Sequence, residues 1–251
     1  MMKIINNSEE MYKNIDSNFY DDLTIILPTL DEGQNIRDLL EYLIFCYKNA
    51  HIIVTDDGSR DNTKEIVSNF QMKKVFFLDR KDARDHGLTV SILDAVKLVN
   101  TKYFVVMDAD GQHPWGAVGD IINHLRRGDK LVIGSRIKVS GRWPLQRKIV
   151  SYIGTFLGKI SLLMRNKLYL SPDILSGFFG AETTFWKAIA FNKDNIGKFR
   201  LKGYKVLFDF LKIMPQDTRF TKIYYEFNAR KKAGSKLNFK IYLEYLKSLV
   251  T

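Results

Sequence analysis

The chain has 251 residues, 45% of them hydrophobic, enough to bury a sizeable core and to exclude a disordered polypeptide. Its single cysteine, Cys46, excludes an internal disulfide or a thiolate metal cluster, fits a reducing compartment, and reads as a small buried hydrophobe. A formal net charge of +11 calls for an anionic partner, whether nucleotide, nucleic acid or phospholipid surface, without choosing among them.

Residues 1–20 form a polar N-terminal extension without the apolar core of a secretory signal, so secretion is not expected. The stretch LTIILPTL then reads as a strand and turn, NIRDLLEYLIFCYKN as a helix, and HIIVT as a second strand. NTKEIVSNF reads as a second helix, KVFFL as a third strand, HGLTVSILDAVKLV as a third helix and YFVVMD as a fourth strand. The apolar runs are continuous rather than alternating, which predicts parallel strands covered on both faces in a doubly wound α/β sheet. Ligands bind beyond the carboxyl ends of such strands, and the polar motifs PTLDE, DDGS and DADGQH follow the first, second and fourth.

The second half is less regular. LVIGSR reads as a strand, while SGFFGAETTFW and KGYKVLFDFLKIM follow without a clear period, as an extension packed on the first half. Before these two and after LVIGSR, residues 149–164 place Ile149, Ile153, Phe156, Ile160 and Leu163 at helical spacing, with Ser151, Gly154 and Gly158 elsewhere on the wheel. A core helix is the expectation there, and a helix lying in a membrane interface is the alternative. Lys159 interrupts the stretch, and nothing in the chain reaches the roughly 18 uncharged apolar residues that span a bilayer.

Turn and capping chemistry accounts for Gly58, Ser59, Asp61, Asn62 and Thr63 of DDGSRDNT but leaves the adjacent Asp56 and Asp57 unexplained. A carboxylate at a strand end accepts the ring N–H of uracil or guanine, which makes Asp57 a candidate base reader. Asp108, Asp110 and Gln112 supply hard oxygen ligands suited to Mg²⁺ or Mn²⁺, too few for an all-protein cage and therefore open to phosphate oxygens and water. His113 is expected to be structural or to support a ligand. Arg136 and Arg147 follow this motif and flank the 149–164 helix, and a guanidinium fork suits phosphate.

Taken in order, ILPTLDEGQN, IIVTDDGSRDNT, RDHGLTVSILDAV, VVMDADGQHPW, VIGSR and ARKKAGSKLNF resemble the motifs of family 2 glycosyltransferases of the GT-A fold. More narrowly they resemble dolichyl-phosphate mannose synthases and related polyprenyl-phosphate glycosyltransferases, over roughly residues 22–240. The resemblance implies a Rossmann-like, mostly parallel sheet flanked by helices, with an acceptor-side extension. A single catalytic domain would cover 21–240, with a nucleotide-sugar half to 136 and an acceptor half from 137, followed by an amphipathic tail at 241–251.

The implied reaction is metal-dependent, inverting transfer of a hexose to a polyprenyl or dolichyl monophosphate. GDP-mannose is the favoured donor and UDP-glucose the next. Pro28, Asp31 and Glu32 would lie along the base and ribose, Asp57 would read the base, and Asp108, Asp110 and Gln112 would hold metal and diphosphate. Arg136, Arg147, Ser151, Arg230 and Lys236 would meet the acceptor phosphate, Ser235 continuing the same late motif, with Asp110, Arg136, Arg147 and Arg230 central to catalysis. The anionic cytosolic face of a membrane would be the place of action, with no nucleic-acid partner. PTLDE stands where the family more often has PTYNE, the segment between GSR and RK is short, and the C-terminal transmembrane helices of many relatives are absent. Transfer from another UDP-sugar, transfer to a sugar hydroxyl, and a non-catalytic nucleotide- or nucleic-acid-binding module are the alternatives.

Overall fold

The computed structural model describes residues 19–139, 145–167, 173–227 and 239–250, without the side chains of 138, 139, 145–150, 196 and 239–242. Strand β1 (Leu23–Thr29) is buried along its whole length, as a run of aliphatic residues without alternation requires in the middle of a covered sheet. It pairs in parallel with β2 (His51–Asp56) on one side and β4 (Tyr103–Val106) on the other, and β3 (Val75–Asp79) continues the sheet beyond β2. Parallel neighbours need crossovers, here supplied by α1 (Ile36–Cys46), α2 (Thr63–Ser68) and α3 (Leu88–Leu98).

The remaining strands are β5 (Leu131–Val139), β6 (Phe179–Glu182) and β7 (Phe220–Phe227). The seven strands run β3-β2-β1-β4-β6-β5-β7, so one sheet passes through both halves of the chain. The strand order reverses between β1 and β4, which opens a crevice at their carboxyl ends. β6 is antiparallel to both β4 and β5, whereas β7 is parallel to β5 with a register shift between Arg136 and Lys138.

Two apolar layers cover the sheet. One holds Leu39, Leu43 and Cys46 of α1, Ile66 of α2, and Val118 and Ile122 of α4 (Ala117–Arg126). The other holds Ile92 and Val96 of α3, Trp186 of α6 (Thr183–Ala190), and Phe208 and Phe210 of α7 (Val206–Ile213). Trp186 and Phe210 stack with ring centroids 3.6 Å apart.

Helix α5 (Leu145–Met164) overturns the core expectation for Ile153, Phe156, Ile160 and Leu163, the Ile149 side chain lying outside the described residues. Ile153, Phe156, Ile160 and Leu163 face outward, flanked by Tyr152 at 75% exposure and Met164 at 80%. The side of α5 that packs inward is the small-residue side. A Cβ at Gly158 would stand 2.6 Å from the Tyr245 hydroxyl, and the Tyr245 hydroxyl donates to the Gly154 carbonyl at 2.6 Å. Large apolar side chains cannot fit where two helices approach this closely, so the residues that make the helix amphipathic are left outside.

Helix α8 (Phe239–Val250) is the partner, and it joins the packed body of the protein. Its Leu249 carbonyl accepts from Ser161 at 2.6 Å, and its Ser248 carbonyl accepts from the buried Lys212 ammonium at 2.9 Å. On this helix Leu243, Leu246 and Val250 are exposed as well. Among the described residues no helix is long and apolar enough to cross a membrane.

Candidate active site at the carboxyl edge of the sheet

Pro28 lies in β1 opposite Thr55 of β2, one residue before the strand ends. Beyond it the chain turns through Asp31, whose φ of 52° is left-handed. Two hydrogen bonds zip this turn to the loop after β2: the Asp31 N–H donates to Ser59 Oγ at 2.7 Å, and the Arg60 N–H donates to Asp31 Oδ1 at 2.7 Å. Glu32 is buried, with its carboxylate accepting from the Asn35 side chain at 2.9 Å and its N–H donating to Thr63 Oγ1 at 3.0 Å. It secures the entry to α1 rather than standing open to solvent.

The paired aspartates divide their work. Asp56 is buried and accepts from Thr29 Oγ1 at 2.8 Å and from the Gly58 and Ser59 N–H groups at 3.1 and 2.8 Å, so it builds the turn. Gly58 completes that turn at φ 93°, a conformation a side chain disfavours. Asp57 points the other way. Its Oδ1 accepts from Arg80 and lies 3.1 Å from His86 Nδ1, and its Oδ2 accepts from the Gly87 N–H at 2.8 Å. Arg80 is itself almost fully buried, and its fork is shared with Asp94 at 3.0 Å and Ser91 at 2.8 Å. This ion-pair network was not anticipated from sequence, where Arg80 and His86 carry no local signal.

At the end of β4, Asp108 and Asp110 lie on one turn through Gly111. The Gln112 N–H donates to Asp110 Oδ1 at 3.1 Å, and the Gln112 side chain is buried. Asp108 keeps 36% of its side chain exposed and stands 3.2 Å from His113 Nε2. A carboxylate oxygen only accepts, so Nε2 carries the proton, and Nδ1 is buried without a hydrogen-bond partner. The ring is packed among Phe178, Tyr225 and Phe227, 5.0 to 5.5 Å between centroids. Burial raises the Asp108 carboxyl, but the His113 ring, then Lys205 and Arg136, outweigh it and hold the group below its ordinary value.

The second half of the chain meets this turn at Gly177. A Cβ there would come within 3.0 Å of Asp108 Oδ2, so the loop between 173 and 178 lies directly against the carboxylate. The same loop supplies Asp173, which Arg136 of β5 grips in a two-pronged pair at 2.6 and 3.1 Å. Lys205, just before α7, donates to the Leu175 carbonyl at 2.6 Å. Burial, then the Arg136 charge, lower its pKa to about 8, while Asp173 and Asp108 pull it upward. Ser151 is half-buried on α5, its carbonyl accepting from Thr155 at 2.9 Å. The Arg147 side chain and Arg230, Ser235 and Lys236 lie outside the described residues.

Among the described residues no three His, Cys, Asp or Glu side chains gather into a ready metal cage. The available donor set is two carboxylates on one turn and a neighbouring amide, all hard oxygens. It fits a divalent ion of the Mg²⁺ or Mn²⁺ type that brings further oxygens from a diphosphate and water.

An open sheet with its strand order reversing at β1 and β4, and acidic turns gathered at that reversal, defines a doubly wound α/β protein with a ligand crevice at the carboxyl edge. The chain belongs to glycosyl transferase family 2, whose profile matches residues 24–186. A dolichol-phosphate mannosyltransferase of Pyrococcus furiosus is 28% identical over 232 residues, covering 90% of this chain and 62% of that protein. The chain thus spans less than two thirds of that relative's length. One from Mycosarcoma maydis is 29% identical over 243 residues, 90% of this chain and 77% of its own. The fold is that of glucosyl-3-phosphoglycerate synthase from Mycobacterium tuberculosis, solved with Mn²⁺, UDP-glucose and phosphoglyceric acid, at a TM-score of 0.61. That pair is 17% identical, with 98% of this chain and 84% of the other covered.

Proposed function

We propose that the chain transfers a hexose from a nucleotide diphosphate sugar to a polyprenyl monophosphate of the dolichyl type, with inversion at the anomeric carbon. GDP-mannose is the first donor to test and UDP-glucose the second. The observation that carries the reading is the meeting at Gly177, where the donor-side carboxylate Asp108 touches the loop that holds the acceptor-side charges Asp173, Arg136 and Lys205. A donor diphosphate and an anionic acceptor would come together on either side of that loop. Similarity to dolichol-phosphate mannosyltransferases over 90% of the chain supports the same acceptor class.

In this reading residues 21–136 serve the donor and 137–240 the acceptor. Pro28 and Asp31 line the base and ribose, Glu32 acts by securing their turn, and Asp57 offers a base N–H the acceptor capacity that remains on Oδ2. Asp108, Asp110 and Gln112 would hold a divalent cation, Mg²⁺ or Mn²⁺. When bound, that ion neutralises charge on the departing diphosphate. Arg136, Arg147, Ser151, Arg230 and Lys236 would orient the acceptor phosphate. A phosphate monoester, with a second pKa of about 6, is already largely ionised near neutral pH, so its oxygen attacks without a general base.

The outward apolar face of α5 and α8 supports peripheral seating on a membrane, where a polyprenyl chain resides. The net charge of +11 favours an anionic, cytosolic leaflet. Thermal shift against GDP-mannose, UDP-glucose and UDP-N-acetylglucosamine with Mn²⁺, followed by transfer to a short polyprenyl phosphate, tests the reading. Stabilisation by one sugar nucleotide and release of its nucleoside diphosphate only with the lipid phosphate is the expected result. Transfer to a sugar hydroxyl but not to the lipid phosphate would refute it.

A further inference from the structure

Arg136 commits one edge of its guanidinium, through Nε and Nη2, to the Asp173 carboxylate. A two-pronged pair satisfies the geometry that a phosphate would otherwise use, so this arginine has less to offer an incoming dianion than its position implies. The acceptor side of the proposed reaction therefore needs another cation. Lys205 stands where one is required. Its ammonium has three N–H donors, and the Leu175 carbonyl takes one of them. The group lies 4.5 Å from the Tyr204 ring centroid, and the charges that act on it are Arg136 of β5, Asp173 of the loop before β6 and Asp108 at the end of β4. These four charged groups cancel in pairs. A phosphate dianion entering beside them adds negative charge, and a neutral residue at 205 would leave the two carboxylates opposed by Arg136 alone.

We propose that Lys205 is a further substrate-contacting residue: its ammonium binds the acceptor's phosphate beside Gly177, between Asp108 and the Arg136–Asp173 pair. This rests on the polyprenyl-phosphate reading and assigns to Lys205 a share of the charge that Arg136 divides with Asp173. Anchoring of the 173–178 loop through Leu175 is the structural part of the same side chain's work.

The test compares Lys205→Met and Lys205→Arg with the parent chain. Affinity for the nucleoside diphosphate with Mn²⁺ is measured by calorimetry, and binding of a short polyprenyl phosphate by itself is measured separately from transfer. Lys205→Met is expected to keep nucleotide affinity within about threefold, to bind the lipid phosphate roughly 10- to 100-fold more weakly, and to raise its KM in proportion. Lys205→Arg, which restores the charge, should recover part of that loss. Unchanged lipid-phosphate binding in Lys205→Met overturns the proposal. So does an equal loss in both variants accompanied by a lowered Tm, which would make Lys205 a strut for the loop alone. A loss confined to nucleotide affinity would assign it to the donor diphosphate instead and also overturn the proposal. If the parent transfers no hexose from any donor, the functional reading fails, and the direct binding comparison still decides the role of Lys205.

Discussion

The proposed donor edge and the proposed acceptor extension of this sheet are built by different means. At the donor edge, carboxylates are held by backbone N–H groups two or three residues away, as Asp56 is by Gly58 and Ser59, or across adjacent loops, as Asp31 is by Arg60. On the acceptor side the spans are similar to the longest of these, Asp31 to Arg60 across 29 positions, but cationic side chains make the bonds: Arg136 to Asp173 across 37 positions, Lys205 to Leu175 across 30, and Lys212 to Ser248 across 36. Turns fix the donor groups as soon as the strands pair. The acceptor groups take their places only when α5, α7, α8 and the 173–178 loop have packed together.

The largest separation between the two regions should come from Asp110→Asn. Loss of a hard anionic ligand is expected to abolish Mn²⁺-dependent nucleotide binding and to lower transfer on the order of 1000-fold or more, read by calorimetry beside product formation. Arg147→Ala should break the acceptor side alone, with transfer lowered roughly 30- to 1000-fold and nucleotide affinity retained. Loss of nucleotide binding in that variant would remove Arg147 from the acceptor side.

Gly177→Ala probes the seam between the regions without removing a charge. Its Cβ would press on Asp108 at 3.0 Å, and displacement of that carboxylate should weaken metal-dependent nucleotide affinity by roughly 10-fold. A comparable effect is expected on the outer surface from Phe156→Glu. This variant should lower flotation with anionic vesicles by about 10-fold at low salt, while nucleotide affinity stays the same. Added salt should weaken vesicle binding by the parent, and binding that ignores both changes would exclude the α5 face as the contact.

The smallest effect is a pH dependence of stability from Lys205. Its folded pKa of about 8 lies below the ordinary 10.5, so between those values the unfolded chain binds more protons. Stability should therefore gain a contribution as pH rises from about 8 towards 10.5, and Lys205→Met should lack it in a Tm-against-pH series.

Sequence reading succeeded where each clue was local. Continuous aliphatic runs specified β1 to β4, and the acidic motifs following β1, β2 and β4 do lie at the carboxyl edge. It failed for β6 because Phe179–Glu182 is a four-residue strand containing Gly and Ala, stabilised by neighbours on both sides rather than by its own propensity. It also left β7 and α4 unassigned, although FTKIYYEF is rich in residues that favour strands.

The sequence by itself determined the parallel half of the sheet, the positions of the acidic turns and the amphipathic period of α5, because each depends on residues within one element or one loop. Only the tertiary structure decided which face of α5 is buried. Periodicity defines two faces, but the choice fell to the small-residue face because Tyr245 of α8 needs the space at Gly154 and Gly158. Tertiary packing likewise sent Glu32 inward to Asn35, tied Asp57 to Arg80, and brought Lys205 beside Asp173 and Arg136. A charged side chain gives no periodic signal of its partner, and these pairings exist only because strands and helices distant in sequence meet at one edge of the sheet.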